Sequence, residues 1–217
     1  MSILIISIHA DPTIRPGAVE GGGTHMYVNE LINLLIYKNV PSLLITRKAS
    51  TGPNDFEIGS TRIHRLSIGP EAQWDKANLI GLNDVIVTSI EDEIQRSDFN
   101  PKLIHSIYWY SGMAAISVAR KLSIPFIHTI ISNGYRKRIA GEKVEENRIQ
   151  AETKIYSEAK NLIAISNQER QDLMSYYGIS SDKIKVVGRG VDDLFLTELF
   201  DSKGTLMPKQ MIHGRIK

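Results

Sequence analysis

"VEGGGTHMYVNEL", residues 19–31, places three consecutive glycines at the start of what reads as a helix. Glycine costs roughly 1 kcal/mol relative to alanine inside a helix, so helix propensity does not explain the run. Upstream, "ILIISI" (3–8) is continuously apolar and β-branched, the pattern of a strand covered on both faces. Downstream, Val28, Leu31, Ile32, Leu35 and Ile36 recur at helical spacing, which marks a core-facing stripe. The glycines therefore lie in a strand-to-helix loop, residues 9–23, and lead into a helix N-terminus. Unpaired N–H groups and the helix dipole make such an end attractive to phosphate. Glycine lets the backbone approach a ligand without a Cβ in the way. A tight turn that binds nothing would use the same residues. The spacing lacks G-x-G-x-x-G at the strand end, which argues against a dinucleotide site.

Beyond this unit, strands and helices alternate. "PSLLIT" (41–46) reads as a second strand and "TRIHRLS" (61–67) as a third, near an edge. Leu79, Leu82, Val85, Ile86, Ile90 and Ile94 mark an amphipathic helix. "KLIHSIY" (102–108) is a strand, "SGMAAISVARKL" (111–122) a helix and "IPFIHTII" (124–131) a strand. Residues 139–160 suit one long surface helix. "NLIAIS" (161–166), a helix over 167–177 and "IKVVGRG" (184–190) complete the series. The alternation implies right-handed βαβ crossovers and a parallel, doubly wound, Rossmann-like α/β sheet. From Leu196 the pattern lapses, so residues 1–195 read as one domain. Residues 196–217 read as a linker that opens a further strand at "MIHGRIK".

The totals bound the function. The chain has 217 residues, 42% hydrophobic and 23% charged, enough to bury a core. A net charge of +2 gives no support for nucleic-acid binding across a broad face. With no cysteine, disulfides and thiolate metal sites are excluded, and no metal cluster stands out. "MSILIISIHADP" lacks the basic start of a signal peptide, and no stretch approaches the roughly 18 apolar residues of a spanning helix. The simplest location is the cytoplasm, with a peripheral membrane contact left open.

In order along the chain, these motifs resemble the opening half of family 4 retaining glycosyltransferases, above all the sucrose-phosphate-synthase-like branch. Ser7, His9, Gly22, Gly23, Tyr27, Val28, Glu30 and Leu31 match a strand ending in Ser-x-His, then Gly-Gly and Tyr-Val-x-Glu-Leu. "KLIHSIYWYSG", "IPFIHTIISNGYRK", the Arg-x-x-x-Glu of Arg148 and Glu152, and "GVD" (190–192) come next, in register. Each motif alone is weak, and the ordered set is strong.

The resemblance implies the N-terminal, acceptor-side half of a two-domain GT-B fold. In such enzymes a hexose passes, with retention, from a nucleotide-diphosphate sugar to an acceptor in the cleft between domains. It implies no cofactor and no metal. Gly22 and Gly23 would face the donor diphosphate through backbone amides, with Lys137 as a neutralising cation. His9, Tyr108, Trp109, Ser111 and Ser132 would line the acceptor side. His105 would be the candidate for a direct catalytic role. Arg148 and Glu152 would be structural supports of the cleft. A solvated charge run for "YRKR" (135–138), aromatic packing for Tyr108 and Trp109, a satisfied structural residue for His105 and a surface ion pair for Arg148 and Glu152 are the plainer alternatives. Gly190 would serve a turn, and Asp192 would cap the segment after it.

Departures from the family pattern matter. The family's histidine two residues after the threonine falls here on Ile131, which cannot hydrogen bond. His128 lies three residues earlier, on the opposite face of an extended strand. Lys102 replaces a frequent acidic residue. The donor-binding domain is not in the sequence, so this chain alone should be inactive or nearly so. The partners implied are a nucleotide sugar, an unknown acceptor, and a complementary C-domain chain or self-association. Two other readings stand beside transfer: a non-catalytic partner or binding subunit with a degenerate glycosyltransferase fold, and a free-standing nucleotide-sugar binding protein.

Overall fold

A computed structural model describes residues 1–14, 22–72, 74 and 76–188. Residues 1–187 form one compact unit. Gly21, the expected linker from residue 196, Gly190 and Asp192 lie outside the described residues.

The first strand, β1 (Ile3–Ile6), has neighbours on both sides. It pairs in parallel with β2 (Ser42–Arg47) and with β5 (Leu103–Ile107). Outward from β2 lie β4 (Thr61–Leu66), parallel, and β3 (Asp55–Ile58), antiparallel at the edge. Outward from β5 lie β6 (Phe126–Thr129), β7 (Asn161–Ala164) and β8 (Ile184–Val186), all parallel. The sheet is thus mixed rather than wholly parallel. The alternation expected for the third strand holds in β4, whereas its antiparallel partner β3 is not among the expected strands. β3 is four residues long, alternates exposed with half-buried positions, and reaches β4 through a tight turn at Gly59, φ +55°. Such a short, polar edge carries little apolar signal.

Alternate residues of the inner strands feed two cores. Leu4, Ile6, Leu43, Ile45 and Ile104 pack on one face; Ile5, Leu44 and Ile107 pack on the other. This two-sided burial is why the strand sequences read as unbroken apolar runs. The second face is covered by α1 (Gly23–Tyr37) through Val28, Ile32 and Leu35. The first is covered by α2 (Asn83–Arg96), α3 (Trp109–Leu122), α5 (Glu146–Glu158) and α6 (Asn167–Tyr177).

Two sequence expectations change. Leu79 sits in a separate 3-10 turn (Lys76–Leu79) ahead of α2, and Val85 is exposed. Of the long helix expected over 139–160 only α5 forms, while a short α4 (Gly134–Ile139) ends where that helix was to begin. Between them the chain turns at Gly141, φ +86°, a conformation that ends a right-handed helix. By contrast α6 starts and stops as its sequence dictates. The Ser166 hydroxyl accepts from the Glu169 N–H, the Glu169 carboxylate accepts from the Ile165 N–H, and Gly178 ends the helix at φ +65°, close to a capping box at one end and a left-handed cap at the other.

Close packing of α3 on α5 depends on Gly112. A Cβ built there would lie 2.7 Å from Ile155 Cδ1 and 3.0 Å from His128 Cε1. Gly112→Val should therefore lower stability by about 1–3 kcal/mol through overpacking, read as a lower urea midpoint. An unchanged midpoint would show that α3 can stand away from α5 at no cost.

Candidate functional site

In an open doubly wound sheet the ligand crevice forms outside the carboxyl ends of the strands, where the winding reverses. Here the reversal lies between β1 and β5: α1 covers one face and α3 the other. The loop after β1, the turn after β5 and the turn after β6 therefore meet at one edge.

The α1 N-terminus has Gly22 as its cap residue, makes no side-chain capping bond, and has no acidic residue in its first turn. Gly22 and Gly23 are exposed. The Gly22 backbone, φ −86° and ψ −176°, is extended and open to any residue. A Cβ there would meet nothing within 4 Å. Neither conformation nor packing asks for glycine at this position.

At the same edge stands a wall built from the β1 loop, the turns after β5 and β6, and α5. The ring centroids of His9 and Tyr108 are 4.4 Å apart. The Arg148 guanidinium lies 5.5 Å from the Tyr108 ring centroid. Arg148 Nη2 donates to the carbonyl and the hydroxyl of Ser132, both at 3.2 Å, and Nε donates to Glu152 Oε1 at 2.8 Å. Glu152 is fully buried. Its other oxygen accepts from the Gly134 N–H at 2.8 Å and from the Tyr177 hydroxyl. The pair is thus a buried support, not the surface pair that spacing alone suggests. Burial by itself would lower the Arg148 pKa; the Glu152 carboxylate, together with Tyr108 and Tyr156, outweighs it and leaves it raised. Burial and Glu152 push the Tyr177 hydroxyl up.

Two backbones at this edge are strained. Tyr108 adopts φ +68°, ψ +154°, a region otherwise kept almost entirely for glycine. It is held there because its N–H donates to Thr129 and its carbonyl accepts from Gly112, both at 3.1 Å. Ile131 adopts φ +64°, an outlier for a β-branched residue. The strand expected to run to Ile131 stops at Thr129, and the Ile131 side chain packs against the α1-side core. His128 points to the other face, fully buried, with Nδ1 2.8 Å from Ser106 Oγ.

The remaining expected residues scatter. His105 lies in mid-strand, buried, with Nε2 2.8 Å from Thr129 Oγ1, which is also 3.0 Å from the Tyr27 hydroxyl. Ser111 is fully buried and accepts from the Ile8 N–H at 3.0 Å, tying the β1 loop to α3. Trp109 is buried and stacks on Tyr110 with centroids 3.8 Å apart. Lys137 pairs with Glu142. His9, Tyr108 and Ser132 come together, with Arg148 added. A buried ion pair of Arg65 and Asp11, 2.9 Å, also anchors the β1 loop to β4; nothing in the sequence pattern flags it.

Among the described residues, Asp55, His64 and Glu93 present ligand atoms within 4.8 Å of one another. Arg96 Nη2 lies 2.7 Å from Asp55 and 2.6 Å from Glu93, so a cation already occupies the gap. These residues sit on β3, β4 and α2 rather than in the wall of the crevice. Among the described residues no helix is long and apolar enough to cross a membrane.

Comparison with known proteins gives a consistent result. The model of Glycosyltransferase Family 4 matches residues 21–193. A D-inositol 3-phosphate glycosyltransferase of Arthrobacter sp. (strain FB24) is 32% identical over 205 residues, covering 91% of this chain and 49% of its own length. The solved sucrose-phosphate synthase of Thermosynechococcus elongatus superposes with a TM-score of 0.80 at 25% identity, over 92% of this chain and 49% of that one. HepE of Anabaena, solved with UDP-glucose, shares the fold with a TM-score of 0.58 at 13% identity, over 88% of this chain and 44% of that one. The chain spans about half the length of the curated relatives it matches.

The wall can be tested in two ways. Removing Glu152 leaves Arg148 buried without its counter-charge, so Glu152→Ala should cost about 3–5 kcal/mol in a urea titration; a loss below about 1 kcal/mol would mean that Arg148 finds solvent. Burial lowers His105 from 6.5 to about 4 and His128 to about 3, with His105 adding to the latter. The unfolded chain then takes up protons first as pH falls. Stability should be full above pH 6.5 and decline below it, by at most about 1.4 kcal/mol per pH unit for each histidine. His105→Gln should flatten that decline between about pH 4 and 6.5, measured as unfolding free energy against pH. An unaltered slope would mean that His105 is protonated in the folded chain.

Proposed function

The chain belongs to glycosyltransferase family 4, whose N-terminal, Rossmann-like GT-B domain it forms, and from that premise we propose how its crevice serves sugar transfer. The donor is a nucleotide-diphosphate sugar, a class that HepE is named as binding. Its diphosphate meets the amides at the start of α1. Those N–H groups stabilise negative charge as the leaving diphosphate departs, an electrostatic contribution that involves no proton transfer. The observation that carries this is Gly22: an exposed cap residue with an ordinary backbone, open space where a Cβ would stand, and no anionic side chain in the first turn.

The acceptor lies against His9, Tyr108, Ser132 and Arg148. Arg148 is a fixed cation whose Nη1 makes no hydrogen bond among the described residues. A planar guanidinium held this way suits an acceptor phosphate. The names of two relatives carry a phosphorylated polyol and a phosphorylated disaccharide, which supports a phosphorylated acceptor. Ser111 and His105 then act by holding the wall rather than by touching substrate, and Lys137 is diverted to Glu142.

A second reading, a binding subunit without turnover, is favoured by one observation. Where the family pattern places a histidine, Ile131 packs into the apolar core. Turnover in the presence of a donor-binding domain separates the two readings.

Gly22→Val tests the first directly. The substituted chain should fold as before, because the new side chain meets no protein atom close to its Cβ. Combined with a donor-binding domain and assayed over a panel of nucleotide sugars, it should lose at least tenfold in kcat/KM, equivalent to about 1.4 kcal/mol. Full activity in the variant would remove the glycine amides from the mechanism.

A further inference from the structure

Three helix N-termini, those of α2, α3 and α5, border a cavity of about 190 Å³. Its walls include Leu79, Ile86, Trp109, Tyr110, Met113 and Ala151, with Asn83 and Asn147 as the side-chain amides. Ile80, 48% exposed, also lines it. The Trp109 and Tyr110 rings that line it lie 6.4 Å and 5.7 Å from the Tyr108 ring, centroid to centroid, so the cavity borders the acceptor wall.

We propose that this cavity is a binding site for an aryl or short alkyl group. Size sets the class: a water's share of liquid volume is about 30 Å³, so the space holds on the order of six such groups, and apolar cavities of about 150 Å³ accept benzene. Chemistry narrows it. A sugar ring would bring hydroxyls on every edge, whereas the lining side chains offer only two amides, the Tyr110 hydroxyl and the Trp109 N–H among mainly apolar groups; each hydroxyl left unpaired costs about 1–3 kcal/mol. A long acyl chain exceeds the volume. An aromatic ring meets Trp109, Tyr110 and Met113 without desolvating anything polar of its own, and aromatic and sulfur contacts add to the burial. In the working enzyme the occupant is an apolar substituent of the acceptor. That assignment rests on the function proposed above; the binding itself does not.

Benzyl alcohol is the probe, titrated into the whole chain labelled with 5-fluorotryptophan, with Trp74 as internal reference. The Trp109 resonance should shift saturably, and myo-inositol at equal concentration should leave it in place. Ala151→Phe fills the cavity and should weaken the effect at least tenfold. Ile80→Lys, at the exposed rim, should weaken it at least threefold and keeps the test valid should the filling variant not fold. No saturable shift with benzyl alcohol, an equal response to myo-inositol, or undiminished binding in the folded variants would overturn the proposal. None of these readings depends on transferase activity, so a failure here is distinct from a failure of the functional assignment.

Discussion

Between β1 and β5 the direction of winding reverses, and that reversal fixes where an opening can exist. α1 leaves over one face and α3 over the other, so among the described residues no helix covers the strand ends between them. Elsewhere the inner strands are sealed by apolar side chains on both faces. The strain at Tyr108 and Ile131 sits at this opening. Hydrogen bonds to the Thr129 carbonyl and from the Gly112 N–H hold Tyr108 in place, and core packing holds Ile131. Strain of about 1–3 kcal/mol per residue persists only where surroundings over-determine it. It aims the Tyr108 ring between His9 and Arg148.

Charge is distributed around the opening with a consistent logic. The glycine end has no side-chain cap and no carboxylate in the first turn of α1. The α4 end, by contrast, is already satisfied: Glu152 accepts its Gly134 N–H and Asn133 accepts the Arg136 N–H. The buried histidines stay neutral because burial lowers their pKa values. Glu152 balances Arg148 without covering it, so the guanidinium can be both buried and available to an anion. A buried pair is weak evidence for stability; here its value lies in fixing where a cation stands.

The fold was legible because two-sided burial writes itself as apolar runs, as in residues 3–8 and 41–46, and because α6 carries its own start and stop signals. The elements that escaped had no such signature. β3 is a polar edge strand whose stability comes from β4 rather than from its own pattern. The long helix over 139–160 failed because one glycine at positive φ outweighs a helical composition. At the site, spacing put Arg148 and Glu152 on one helix face, yet depth of burial depends on α4, α6 and Tyr177, which are distant in sequence. Ser111 lies just after Tyr108, but entry into α3 turns it away from the crevice to accept the Ile8 N–H, and Trp109 stacks on Tyr110. The Asp11–Arg65 pair joins residues 54 positions apart, beyond the reach of local reading.

The sugar transfer proposed for this edge requires that the uncapped start of α1 receive a diphosphate. Amide resonances of the 15N-labelled chain, monitored while inorganic pyrophosphate is added, test that requirement. Saturable shifts concentrated at Gly22, Gly23 and Thr24 are the expected result. Resonances that stay fixed at these residues while other parts of the surface respond would contradict it.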